Sequence, residues 1–241
     1  MKLSYLLRRI FITKKCVACK EPISYDTRVP FCKECVEHWN ALLELKCHKC
    51  GYKHNECTCL PSQVRQIGKH GAVWCVFYEG KSDLSANNLV FVLKREYNKD
   101  MIEFCAEQMS RNIMLLCSRY GIDYKEYCIT FAPRRKTVKT QYGFDQSQKL
   151  AFAVAKILGL KAEACLVNIG IDEQKSLTKE QRRENAQKSY IANKKAQIAN
   201  KKYFLVDDIM TSGSTLRACA GILFTQGAKD VIAVTYAKDN R

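Results

Sequence analysis

One stretch constrains the fold of this chain more than any other. A short apolar strand, Tyr203-Phe204-Leu205-Val206, runs straight into two adjacent acids, Asp207 and Asp208. A run of small residues follows, Thr211-Ser212-Gly213-Ser214-Thr215, and then a helical pattern from Thr215 to Phe224 that Gly227 stops. A buried strand holds its own end rigidly, so two carboxylates placed there can accept hydrogen bonds from a diol. Hydroxyls and backbone N–H groups of a loop at a helix N-terminus can cradle a phosphate, and Gly213 allows close approach. The plain alternative is an ordinary strand–helix turn that happens to carry an acid pair; a pattern of this length favours a ligand.

The surrounding sequence alternates in the same way. Ala72 to Tyr78, Tyr127 to Phe131 and Val231 to Tyr236 read as strands, and Tyr127–Phe131 ends in Ala132-Pro133. Leu89 to Lys94, Met101 to Cys117 and Phe144 to Leu158 read as helices. Asp145 with Gln148 three residues on resembles a capping box, Leu150, Val154 and Leu158 share one face, and Gly159 is a stop signal. Strands separated by helices predict an α/β fold with a mainly parallel sheet, flanked by helices and joined by right-handed crossovers. Such sheets bind ligands beyond the carboxyl ends of their strands. Ile171 to Lys202 is polar and charged, and reads as a long loop or a mobile arm.

Before residue 62 the composition changes. Eight of the fourteen cysteines lie between Cys16 and Cys59. Cys16-x2-Cys19 and Cys32-x2-Cys35 are separated by twelve residues, the spacing of a zinc ribbon in which two CxxC turns complete a tetrahedral four-thiolate site. Lys15 and Lys20 flank the first turn and would offset thiolate charge. Cys47-x2-Cys50-Gly51 and Cys57-x-Cys59 form a second set; His54 could replace one cysteine there, and His48 could bond a sulfur or face water. A site filled by four cysteines leaves no open position, so one or two structural Zn2+ ions are expected rather than a catalytic one. The other reading is free thiols. Paired spacing suits metal in a reducing compartment better than a secreted disulfide framework. The six scattered cysteines read as small core residues.

The formal net charge of +16 attracts acidic surfaces, nucleic acid among them. No segment reaches the roughly 20 apolar residues that cross a bilayer. Met1 to Lys15 carries a short apolar run broken by Arg8 and Arg9, and reads as a basic amphipathic helix rather than a signal peptide. A cytoplasmic protein is the expectation.

The stretch FLVDDIMTSGSTL resembles the signature of the type I phosphoribosyltransferases. That resemblance implies that Asp207 and Asp208 bind the ribose hydroxyls of phosphoribosyl pyrophosphate, with Mg2+. It also implies that Thr211, Ser212, Gly213, Ser214 and Thr215 bind the 5′-phosphate. With the cysteine-rich module ahead of it, the chain looks like the ComF family, competence-associated proteins of phosphoribosyltransferase type. Phe77-Tyr78-Glu79-Gly80, Leu93-Lys94 and Asp100 match one family stretch. Pro133-Arg134-Arg135 with Tyr142-Gly143-Phe144-Asp145-Gln146 match a second, although Tyr142 stands for the usual arginine and Asp145 for the usual asparagine. Gln174, Leu177, Arg182, Arg183 and Asn185 match a third. The implied division is a zinc-ribbon module over residues 1–62 and a phosphoribosyltransferase-like domain over 63–241.

Pyrophosphate needs cations, and Arg134 and Arg135 lie just beyond a strand at the expected edge of the sheet; a solvated basic loop would read the same way. Lys94 could also reach an anion, and Arg182 and Arg183 could close over one as a lid. Two functions follow. The first is an enzyme in which a nitrogen nucleophile displaces pyrophosphate, with Arg134, Arg135 and the acid pair as its machinery. The second, implied by the ComF resemblance, is handling of single-stranded DNA during uptake, with competence proteins as partners. Tyr5, Trp39, Tyr52 and Trp74 could stack on bases there or belong to the core. The alternative to both is a phosphoribosyltransferase of nucleotide metabolism or salvage without a DNA role.

Overall fold

A computed structural model describes residues 14–24, 26–27, 29–79, 92–93, 96–170 and 189–240. The expected helix near the N-terminus with its Tyr5, Lys94, and the matched residues Gly80, Gln174, Leu177, Arg182, Arg183 and Asn185 lie outside the described residues. So does most of the Leu89–Lys94 segment.

Four strands form one all-parallel sheet: β3 (Ala72–Tyr78), β4 (Tyr127–Phe131), β7 (Lys202–Met210) and β8 (Asp230–Asp239). Their order is β3-β8-β7-β4, and every pairing is parallel. Two short antiparallel ribbons accompany it, β1 (Lys14–Lys15) with β2 (Pro22–Ile23), and β5 (Leu166–Asn168) with β6 (Tyr190–Ala192). The helices are α1 (Lys33–Glu44), α2 (Lys99–Tyr120), α3 (Lys136–Tyr142), α4 (Gln146–Leu158) and α5 (Ser214–Thr225). The expected α/β architecture is therefore present, with a cysteine-rich segment preceding it.

Parallel strands covered on both faces are apolar where both faces are buried, and the central stretches of the two middle strands follow this rule. Tyr203, Phe204, Leu205 and Val206 are buried without remainder, as are Val231 to Val234. Alternate residues divide between two cores. Phe204 and Val206 pack with α2, α4, Cys16, Cys35 and Trp39; Tyr203 and Leu205 pack with α5, Cys47 and Cys57. The cysteine-rich segment thus contributes to both cores.

Local chemistry fixes the helix limits. Asn98 and Asp145 cap α2 and α4, each accepting a hydrogen bond from the backbone N–H three residues on (Met101 and Gln148). Gly121 and Gly159 end the same helices in the left-handed region.

Two expectations change, and the choice left open for the aromatics is decided for three of them. β7 runs on to Met210, because Asp207, Ile209 and Met210 keep pairing with β8, so the acid pair stands inside the strand rather than after it. The span expected as an arm contains β6, hydrogen-bonded to β5, and a turn in which Lys201 Nζ meets both carboxylate oxygens of Glu163. Trp39 and Trp74 are core side chains, each 4% exposed, whereas Tyr52 is 59% exposed. Among the described residues no helix is long and apolar enough to cross a membrane.

Candidate functional site

The acid pair lies near the carboxyl end of the sheet, where alternation sends the two carboxylates to different partners. Ser147, in the first turn of α4, donates its hydroxyl to Asp207 Oδ1 at 2.9 Å. Asp208 Oδ2 faces Arg134 Nη2 at 3.6 Å, and both side chains are mostly buried. Arg134 lies just beyond β4. Its backbone N–H donates to Asp145 Oδ2 at 2.9 Å, its guanidinium donates to Gln146 Oε1, and its charge lies 5.9 Å from the rings of Tyr142 and Phe144. Asp145 therefore caps α4 and fixes Arg134 with the same carboxylate. Arg135 ends in the N-cap position of α3, and its charge acts on the phenol of Tyr190. Burial is the main cause that pushes that phenol far above its ordinary pKa, with Cys219 and Asp207 adding to it.

The loop after β7 leads into α5. Thr211 and Ser212 are exposed, and Gly213 takes the N-cap position at φ +78°, in the left-handed region. As cap it brings no side chain to the first turn; the Ser214 N–H donates to Ser212 Oγ at 3.4 Å, a long contact that an anion at this helix end could replace. The hydroxyls of Ser212 and Ser214 are 3.0 Å apart. The loop rests on the segment that follows the second cysteine set: a Cβ on Gly213 would overlap Val64 Cγ2, and Arg217 donates to Gln63 Oε1 at 2.7 Å. A cavity of about 250 Å³ opens between loop and cysteines, with Thr211, Ser212, Gln63, Lys49, Lys238 and Asn240 among its walls.

All eight expected metal ligands fall into two groups of four, Cys16, Cys19, Cys32 and Cys35, and Cys47, Cys50, Cys57 and Cys59. Within each, the sulfurs lie within 4.8 Å of one another, and none is in a disulfide. Cys19 and Cys32 sulfurs are 3.6 Å apart, as are those of Cys50 and Cys57. Zinc–sulfur bonds of about 2.3 Å in a tetrahedron demand an edge of about 3.8 Å, so both groups fit Zn2+.

The backbone prepares one thiolate in each group. Burial opposes ionisation of Cys16, but N–H groups of Cys19, Cys32 and Ala18 outweigh it and bring the thiol down to about 7. At Cys47 burial is likewise outweighed by N–H groups of Lys49 and Cys50, and the thiol falls to about 6. Burial and neighbouring thiols push Cys35 up, and Cys57 rises to about 12 chiefly through burial. Four thiolates so close need a cation to coexist.

The two sets are built differently. Cys16–Cys19 and Cys47–Cys50 are tight turns whose next residue, Lys20 or Gly51, is left-handed. Cys32 and Cys35 occupy the N-cap and first turn of α1 instead of a second such turn. His54 stands outside the four-sulfur group.

Sequence reasoning missed Ser147, Gln63, Tyr190, Lys238 and Asn240. The last clamps the second cysteine turn to the end of β8: Asn240 Nδ2 donates to Lys46 O and to Glu79 Oε1, each at 3.0 Å, and Oδ1 accepts from His48 N–H at 3.2 Å.

This strand–acid–loop–helix arrangement, on a parallel sheet, lies in the part of the chain that a known family model matches. Residues 147–241 match the family model of the phosphoribosyl transferase domain. Among solved structures, the chain is similar to the crystal structure of TT1426 from Thermus thermophilus. The identity is 13%, the coverage 59% of this chain and 84% of that one, and the TM-score 0.33. No curated protein matches.

Proposed function

We propose that the chain binds phosphoribosyl pyrophosphate together with Mg2+, and that residues 63–241 act as its phosphoribosyltransferase-like domain beneath a zinc-ribbon module over residues 1–62. The observation that carries this reading is the acid pair held from two sides, Asp207 by Ser147 and Asp208 by Arg134, with a short loop leading from it to a helix N-terminus capped by glycine. Asp207 and Asp208 accept the ribose hydroxyls. Thr211 to Thr215 take the 5′-phosphate through hydroxyls and backbone N–H groups. Arg134 and Arg135 take the pyrophosphate. Arg134 then exchanges the Asp208 carboxylate for a more highly charged partner, which its planar fork suits. Carboxylate and hydroxyl oxygens are the donors that Mg2+ prefers, and bound Mg2+ would offset the charge of the departing pyrophosphate.

Transfer forms a bond between the anomeric carbon and an acceptor nitrogen, breaks the bond to pyrophosphate, and releases the proton of that nitrogen to solvent. The net charge of +16 and the ComF resemblance support a further role, contact with single-stranded DNA during uptake, alongside competence proteins. Free cysteines throughout suit a reducing compartment, hence a cytoplasmic location.

Calorimetric titration of phosphoribosyl pyrophosphate with Mg2+ tests the site. The zinc-loaded wild type binds, and the pair Asp207→Asn/Asp208→Asn does not. A folded wild type that shows no heat of binding defeats the assignment. Anisotropy of labelled single-stranded DNA against salt tests the second role; affinity that stays flat with salt removes the electrostatic case for it.

A further inference from the structure

The second four-sulfur group has a buried cation beside it. Lys238, near the end of β8, is 5% exposed. Its Nζ lies 4.0 Å from Cys57 Sγ, 4.7 Å from the Trp74 ring centroid and 5.1 Å from that of Phe77. Among the described residues no carboxylate forms an ion pair with it. Strand geometry sends it there. Tyr236 and the next residue, Ala237, both face the core built around α2 and α4, so the alternation of β8 slips by one. Lys238 then falls against Trp74, Phe77 and Cys57, which belong to the other core.

An ammonium removed from water requires a counter-charge. Aromatic faces supply a small part of it. Four neutral thiols supply none, whereas four thiolates around Zn2+ make a doubly negative centre. Cys57 then becomes a full acceptor for a charge-assisted N–H···S bond. We infer that Lys238 is the outer-sphere cation of the second metal centre, offsetting part of its charge and orienting Cys57. This rests on reading the group as a zinc site, which the zinc content of the wild type tests separately.

The first centre is built without such a companion among the described residues. Lys14 and Lys20, on either side of its first turn, pair with Asp100 and Glu96. Loss of the Lys238 charge should therefore act on one ion and spare the other. Lys238 also forms part of the cavity wall shared with Thr211 and Ser212, so the second centre and the phosphate loop have one cation in common.

The test uses the full chain loaded with zinc, in the wild type, Lys238→Met and Lys238→Arg. Transfer of zinc to a chromophoric chelator gives the rate of release for each ion, and the charge-transfer absorption of the Co2+-substituted protein reports the thiolate environment. In Lys238→Met one phase of release should accelerate about tenfold or more while the other stays unchanged. Lys238→Arg should keep the wild-type rates. Wild-type rates in Lys238→Met overturn the inference. Equal loss in the Met and Arg variants also overturns it, because packing rather than charge would then be responsible. Should Lys238→Met lose both ions together through unfolding, Lys238→Arg decides: retention of both ions upholds the inference and loss of the second overturns it. A wild type that carries a single zinc ion defeats the reading of the site itself.

Discussion

The indole of Trp39 stacks on the ring of Tyr236, with centroids 5.7 Å apart and planes 15° from parallel. One ring belongs to the helix that carries Cys35, the other to a middle strand of the sheet. Phe104 of α2 closes the cluster edge-on, 5.2 Å from Trp39. Truncation of so buried a ring removes contact area and leaves a cavity. Trp39→Ala should lower the free energy of unfolding by about 3–5 kcal/mol in urea titrations. A loss below about 1 kcal/mol would mean that the cysteine-rich segment and the sheet do not share that core.

Gly213 sits at φ +78° with Val64 against its Cα. Gly213→Ala meets both the left-handed backbone penalty of about 1–2 kcal/mol and the overlap with Val64. Affinity for phosphoribosyl pyrophosphate should fall by about tenfold or more in calorimetry, since the loop must shift. Adding Val64→Ala should recover part of the loss, and strict additivity of the two changes would rule out this contact as the cause.

Ser147 holds Asp207 by a hydrogen bond to a carboxylate, an interaction worth about 1.5–3 kcal/mol. Ser147→Ala should weaken binding of the ligand about tenfold and lower the melting temperature by roughly 3–12 °C, and Ser147→Thr should restore both. Unaltered affinity in the alanine variant would show that Asp207 needs no such support.

Glu163 accepts from Lys161 and from Lys201, at 2.6 and 2.8 Å. Burial acts against its charge, but the two ammonium groups prevail and hold the carboxyl below its ordinary value. A carboxyl depressed in the fold adds stability above its unfolded pKa and loses it as pH falls through the lower folded value. Glu163→Gln should therefore be less stable than the wild type by about 1–3 kcal/mol near pH 7, with the gap closing below about pH 4. A gap that persists in acid would assign the effect to packing.

Much of the frame was legible in the residues. Ala72–Tyr78 and Tyr127–Phe131 are strands with the limits read from their apolar, β-branched and aromatic runs, and Asp145 caps toward Gln148 as its spacing implies. The end of β7 was not legible, because Asp207 and Asp208 break the apolar pattern that marks a strand while the backbone keeps pairing. α3 escaped notice since Lys136 to Tyr142 carries no apolar stripe. Ser147 and Lys238 could not be read at all. Their partners lie 60 and 181 residues away in the chain, and only the folded topology brings them together.

The strand order β3-β8-β7-β4 also sets a timetable. Ala72 of β3 pairs with Ala233 of β8, so the first strand of the sheet in chain order waits for the last before it gains its partner. Closing so long a loop is slow, and an unpaired apolar edge invites association with other chains meanwhile. Each cysteine group, by contrast, spans no more than about 20 residues and can close on a metal ion as soon as its own segment exists. With zinc bound as proposed, its supply during synthesis would set how long a nascent chain exposes thiols and strand edge together, and so how much of it reaches the folded state.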